Sequence, residues 1–398
     1  MAEYVARMRV RELVVGMILV ISSAVAIQWY ARRKTAPPPP RGQVICENTW
    51  KGYKARYLEH PGRLKRPVQD DTVARGQAGV MLRAVWMRDK ETFDNCYRWA
   101  ENHLSRKVHS GDNLLAGRWK DGMVRSWKPD TGANLDYALS LLFAAACWGS
   151  RHPEGMTDYR IKAERVTADI LEILTFRTST GRLYLSPVIV ASPGKQEKFV
   201  LNPSQYAPAH FRYFLEQTGD ERWDELLETG YMVLEELLYA LGDQRGMGLF
   251  PDFCSVDRLD RLAPPEELSS DFGTEAVLIP LRVSMDFYWY GSEDARRLLA
   301  SDLSLFIEKQ WNESGALYAG YGYAGEVLVK EEDPLFYAAY YCVLAVSSSD
   351  LAEDILRTMR RALIKERGRD WYFSREWYSD SLAWFAEGFS EGIISIPG

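Results

Sequence analysis

Cysteine is sparse and scattered. The five present (Cys46, Cys96, Cys147, Cys254 and Cys342) include no CxxC pair, so neither a zinc site nor a disulfide framework can be read from their spacing. Cys147 and Cys342 sit inside apolar helical runs and read as small core residues. The five histidines form no HExxH or HxH cluster. Metal catalysis therefore has no motif behind it, and no cofactor is expected. Basic residues are not in excess: the formal net charge is −6 and no basic stripe occurs, which argues against a nucleic-acid partner. Beyond residue 45 there is no second linker and no low-complexity tract. One large domain over residues 46–398 is the expectation. Strand patterns are few, and Arg182–Val190 is the best of them.

What the chain does have is aromatic side chains, 13 Trp and 22 Tyr, in a sequence that is 46% hydrophobic and 26% charged. Large rings pack helices, and they also stack on the C–H faces of sugars. The N-terminus carries a separate signal. Leu13 to Tyr30 is uncharged and largely apolar, with Arg7, Arg9 and Arg11 before it and Arg32, Arg33 and Lys34 after it. At about 1.5 Å per residue this run approaches the ~30 Å of a bilayer core. Residues 1–34 are expected to form a single-pass membrane anchor, and Ala24-Val25-Ala26 would serve as a cleavage site if the segment is a signal peptide. The flanks carry equal basic charge and do not orient it. Residues 35–45, with Pro37 to Pro40, read as a short stiff linker.

Helical periodicity dominates the rest. Leu135–Trp148 places Leu135, Ala138, Leu139, Leu142, Ala145 and Ala146 on one broad face. Similar patterns run through Tyr159–Leu174, Ala207–Gln217, Asp220–Ala240, Glu275–Tyr290, Ser292–Gln310, Pro334–Val346 and Asp350–Ile364. Gly- or Pro-bearing turns separate them. Repeated helix–loop–helix units at this spacing predict an all-α fold, either a toroid of paired helices or another helical solenoid.

Several separated blocks carry a more specific signal. Thr72-Val73-Ala74-Arg75-Gly76-Gln77-Ala78-Gly79-Val80-Met81-Leu82-Arg83-Ala84-Val85 closely resembles the signature stretch of glycoside hydrolase family 8. Trp127-Lys128-Pro129-Asp130-Thr131-Gly132-Ala133-Asn134-Leu135-Asp136 resembles that family's Ala-Thr-Asp-Ala-Asp-Leu-Asp stretch. Asn202-Pro203-Ser204, Leu249-Phe250-Pro251-Asp252-Phe253 and Phe272-Gly273-Thr274-Glu275-Ala276 resemble three further blocks. The resemblance spans most of residues 50–390. It implies an (α/α)6 barrel and an inverting hydrolase of β-1,4-linked glycans. It also implies a polysaccharide or oligosaccharide partner, with exopolysaccharide synthase machinery as a second, and a domain facing outward from the cell membrane.

The resemblance also shows what is missing. The family's proton-donating glutamate stands before Gly-Gln, and here that position is Arg75. A guanidinium stays charged and has no proton to lend. Two of the three family aspartates are replaced, by Gly132 and Asn134. The family's basic aspartate corresponds to Glu275, which remains able to hold a water. Asp71, near the start of the Arg75 helix, and Asp130 are the candidates to supply the acid. Arg75 would pair with Glu275 if within reach. Alternatively, with Arg83, Arg118 or Arg282, it could grip an anionic sugar such as a uronate. Trp119, Trp127, Tyr206, Tyr321 and Tyr323 lie in expected loops or helix starts, where sugar-stacking rings of a barrel would stand. Asn134 is a substrate-binding candidate by its place in the altered stretch.

Overall fold

The computed structural model describes residues 41–149, 151–190, 196–372 and 377–397. The proposed anchor at Leu13–Tyr30 and the Pro37–Pro40 spacer lie outside them. Among the described residues no helix is long and apolar enough to cross a membrane. Contacts divide the chain into Met1–Val44 and Ile45–Gly398. Helix Arg41–Tyr57 begins inside the stretch read as linker.

The large unit is a closed ring of helix pairs. The inner helices are α1 (Ala74–Trp86), α2 (Thr131–Trp148), α3 (Pro208–Thr218), α4 (Leu278–Tyr290), α5 (Pro334–Val346) and a broken last one, α6 (Trp377–Leu382) with α7 (Phe385–Ser390). Between them run outer helices such as Lys90–His103, Tyr159–Ile173 and Arg222–Tyr239. The two sets differ as packing demands. Helix α5 is buried over nearly its whole circumference, while the outer Lys90–His103 buries Phe93, Cys96, Tyr97, Trp99 and Ala100 on one face. The ring closes where Trp86 of α1 packs on Trp384 and Phe385 at 6.0 and 5.9 Å between centroids. Trp86 also meets Phe143 of α2 and Trp289 of α4, so an aromatic plug fills the C-terminal end of the inner ring.

The all-α expectation needs one correction. The loops pair into many strands of two to four residues, including a three-stranded sheet of Thr72–Val73, Arg118–Lys120 and Met123–Ser126. Such short ladders satisfy the backbone of loops that cannot be helical, and they leave little alternation in the sequence. The strand expected over Arg182–Val190 is only Leu183–Leu185.

Candidate active site

Inner helices begin where the plug does not reach. At their N-terminal ends an open cleft of about 600 Å³ is lined by Arg75, Asp130, Asn202, Glu275 and Tyr378, with Arg66, Arg118 and Lys128 on its wall. Exposed N–H groups and the helix dipole at this end favour carboxylates. Asp130 uses that directly: it caps α2 by accepting from the Ala133 N–H at 2.9 Å.

Glu275 is held by a turn rather than by the helix expected to start there; α4 begins at Leu278. Asp252 fixes this turn. Its Oδ1 accepts from the N–H groups of Gly273, Glu275 and Ala276 at 3.2, 2.9 and 2.7 Å. Burial pushes the Asp252 carboxyl up to about 6 against those three bonds. One Glu275 oxygen then accepts from Asn202 Nδ2 at 2.7 Å. Asn202 is itself fixed, because its Oδ1 accepts from the Ser204 N–H and hydroxyl.

The other Glu275 oxygen is taken by Arg75. Nη1 donates to Glu275 Oε1 at 2.6 Å, and Nη2 lies 3.1 Å from Asp130 Oδ2. One guanidinium therefore bridges two carboxylates across the cleft floor, with its Cζ 5.8 Å from the Tyr378 ring centre. The carboxylates are separated by no more than one guanidinium and two hydrogen bonds. That is no wider than the roughly 6.5–9.5 Å gap of inverting glycosidases. Burial opposes the charge on Arg75, but Asp130, Tyr378 and Glu275 hold its pKa well above the ordinary value. Burial likewise favours a neutral Glu275, yet Arg75 and Asn202 bring it below the usual carboxylate range. Both partners are ionised.

Beneath the floor, Arg282 joins the site to the core. It lies 3.2 Å from Asp136 Oδ1 and donates to the Ser204 carbonyl at 2.8 Å. Asp136 also meets His210 Nε2 at 3.1 Å. Burial would raise the Asp136 pKa, but Arg282 and His210 lower it. Gly132 leaves room here. A Cβ would stand 3.4 Å from Arg282 Nη2 and from Asp130 Oδ1, in ordinary contact with both.

Other expected site residues lie elsewhere. Asp71 is fully buried and clamped by Arg66 (2.6 and 2.7 Å) and Arg118 (2.5 Å), which hold its pKa down despite burial. It cannot hold a transferable proton, and the acid role considered for it is withdrawn. Asn134 is buried and serves the backbone, accepting from Leu115 N–H and donating to the Asp130 carbonyl. Tyr206, Tyr321 and Tyr323 are core rings with occupied hydroxyls, bonded to Leu185 N–H, Tyr318 N–H and the Leu237 carbonyl. They cannot stack on a sugar, because a loop ring buries itself when it can satisfy its hydroxyl. Trp119 lies behind the wall, edge-on to Trp99 and under Arg63. Trp127 is half-buried, with one face covered by His109 at 3.9 Å. Asp252, Asn202 and Tyr378 carry positions that residue-type reasoning missed. The first two sit in the quoted blocks, whereas Tyr378 has no sequence signal. Among the described residues no cluster of His, Cys, Asp or Glu could hold a metal ion.

Comparison with known proteins agrees with this architecture. The sequence model of glycosyl hydrolases family 8 matches residues 26–332. Endoglucanase A of Acetivibrio thermocellus is 27% identical over 272 residues, 64% of this chain and 51% of that protein. A probable endoglucanase of Novacetimonas hansenii is 26% identical over 67% of this chain and 72% of its own length. The chain spans about half the length of several curated relatives it matches. Among solved structures, the β-1,3-1,4-glucanase of Paenibacillus sp. X4 superposes with a TM-score of 0.73 at 20% identity, over 89% of this chain and 94% of that one. The endo-β-1,4-glucanase CMCax of Acetobacter xylinum gives 0.67 at 22% identity, over 88% and 99%.

Proposed function

Because this chain belongs to glycosyl hydrolase family 8, we propose that its cleft binds a β-linked polysaccharide while the family's acid-assisted hydrolysis is blocked at Arg75. One observation carries the reading: a single guanidinium occupies the acid position and engages both Glu275 and Asp130. Inverting hydrolysis needs one protonated and one ionised carboxyl, with a water beside the second. Here Glu275 has its oxygens committed to Arg75 and Asn202, and the family's acid position holds a guanidinium that gives no proton. Losing a general acid removes about 10²–10⁴-fold of rate. A cation fixed in its place also removes the free base.

The apolar N-terminal run and the family resemblance together support a cellular setting. Leu13–Tyr30 would hold the protein in the cell membrane with the barrel outside, or be cleaved after Ala26. The ligand would be an exopolysaccharide, and the exopolysaccharide synthesis or export machinery a partner.

A second reading has its own support. Asp130 and Glu275 face each other across one guanidinium, so a substrate that displaced Arg75 would leave Asp130 as acid and Glu275 as base. Reducing-end release from β-1,4-glucans, measured with binding to the same oligomers, separates the two. The first reading expects binding without release, unchanged in Asp130→Asn. Release abolished by both Asp130→Asn and Glu275→Gln would establish the second.

A further inference from the structure

The cleft wall differs in charge from the protein around it. Three cations line it within a chain of net charge −6: Arg66, Arg118 and Lys128. Only Asp71 answers them, and it is fully buried. Arg66 takes that carboxylate through Nε and Nη2, while Arg118 uses Nε alone, so both Nη groups of Arg118 remain. Arg118 is 43% exposed, and Lys128 makes no ion pair among the described residues.

These cations are held in place by backbone. Strand Thr72–Val73, which leads into Arg75, pairs with Arg118–Lys120. The Ala74 N–H donates to the Gly117 carbonyl at 3.1 Å, and the Gly117 N–H donates to the Lys128 carbonyl at 3.0 Å. Gly117 is required for that approach, since a Cβ there would lie 2.6 Å from the Lys128 oxygen. One ladder thus fixes Arg75, Arg118 and Lys128 along the same wall. Arg75 acts in the same sense on the floor, where it offsets two carboxylates that would otherwise repel an anion.

Resting on the glycan-binding reading above, we infer that the ligand is an acidic glycan, whose ring carboxylates are gripped by Arg118 and Lys128. Guanidinium forks match carboxylates in a way neutral hydroxyls do not need. The cleft therefore selects for anionic sugars rather than merely tolerating them.

The test is calorimetric titration of the full chain with β-1,4-linked oligoglucuronate, with the cello-oligosaccharide of equal length, and with polyglutamate. The oligoglucuronate is expected to bind at least about tenfold more tightly than the neutral oligomer at low salt. The gap should narrow at 0.5 M salt. Lys128→Ala, at an exposed side chain, and Arg118→Ala, which leaves Asp71 its bidentate Arg66, should each shrink the gap severalfold. Equal or tighter binding of the neutral oligomer overturns the acidic-ligand inference and leaves the cleft reading intact. Equal binding of polyglutamate overturns it too, since charge alone would then suffice. Binding of no oligosaccharide at all defeats the glycan-binding reading itself.

Discussion

At the scale of single residues, the account turns on what Arg75 does to the groups it touches. It lowers the pKa of Glu275 below its unfolded value near ~4.3, so the pair adds stability above that pH. The contribution is lost as pH falls through the lower folded value. Arg75→Met is expected to cost about 2 kcal/mol at pH 7. The difference from wild type should shrink between about pH 5 and pH 2, as followed by urea unfolding. A difference that stays constant over that range would mean the bridge is not formed in solution. The position of Arg75 was legible in the sequence because Gly76-Gln77 and Met81-Leu82-Arg83 fix the register. The inward turn of Tyr206, Tyr321 and Tyr323 was not. Loop aromatics look the same in a sequence whether they face a groove or the core, and only the partner of each hydroxyl decides.

At the scale of elements, two buried arginines on inner helices make a contrast. Arg83 of α1 has no carboxylate partner among the described residues. It donates to Thr49 Oγ1 at 2.9 Å, lies against Trp50, Tyr53 and Trp384, and leaves Nε without a hydrogen bond. Burial brings its pKa down to about 10. Arg282 of α4 instead balances the partly buried Asp136. Thermal or urea unfolding should therefore separate the two sites. Arg83→Met is expected to be neutral or stabilising, because it removes an uncompensated charge. Arg282→Met should cost about 1.5–3 kcal/mol, because it removes the charged partner of Asp136 and leaves it only His210. The opposite order would show that the ring cage around Arg83 is a net stabiliser. Apolar periodicity made the inner helices readable, and Pro334–Val346 is found at the bounds the pattern implies. Ends set by side chains elsewhere were not readable. The turn around Glu275, held by Asp252, puts the start of α4 at Leu278, and the run from Ser292 to Gln310 breaks into Glu293–Leu299 and Asp302–Ser314.

At the scale of the large unit, ring closure depends on the C-terminal turn. The indole N–H of Trp86 donates to the Ser395 carbonyl at 3.0 Å, and that of Trp289 to the Ile394 carbonyl at 3.2 Å. Ile394 is buried against Gly388, where a Cβ would lie 2.8 Å from its Cδ1. Removing the residues after Glu391 should cost at least about 3 kcal/mol, from one lost core side chain and two orphaned indoles. Differential scanning calorimetry would show it, and an unchanged melting temperature would mean the ring closes without this turn. The paired-helix architecture could be read from repeated amphipathic segments together with the family blocks. The closing contacts could not, because they join positions 309 and 105 residues apart through main-chain carbonyls that carry no residue signature.

That the Arg75 guanidinium blocks acid-assisted hydrolysis in this cleft is tested most directly by Arg75→Glu. Reducing-end release from β-1,4-linked oligomers, neutral and acidic, should be undetectable for the wild type. In the variant it should rise by at least about 10² over background, the low end of what a general acid supplies. Release by the wild type that falls in Arg75→Glu would contradict the account.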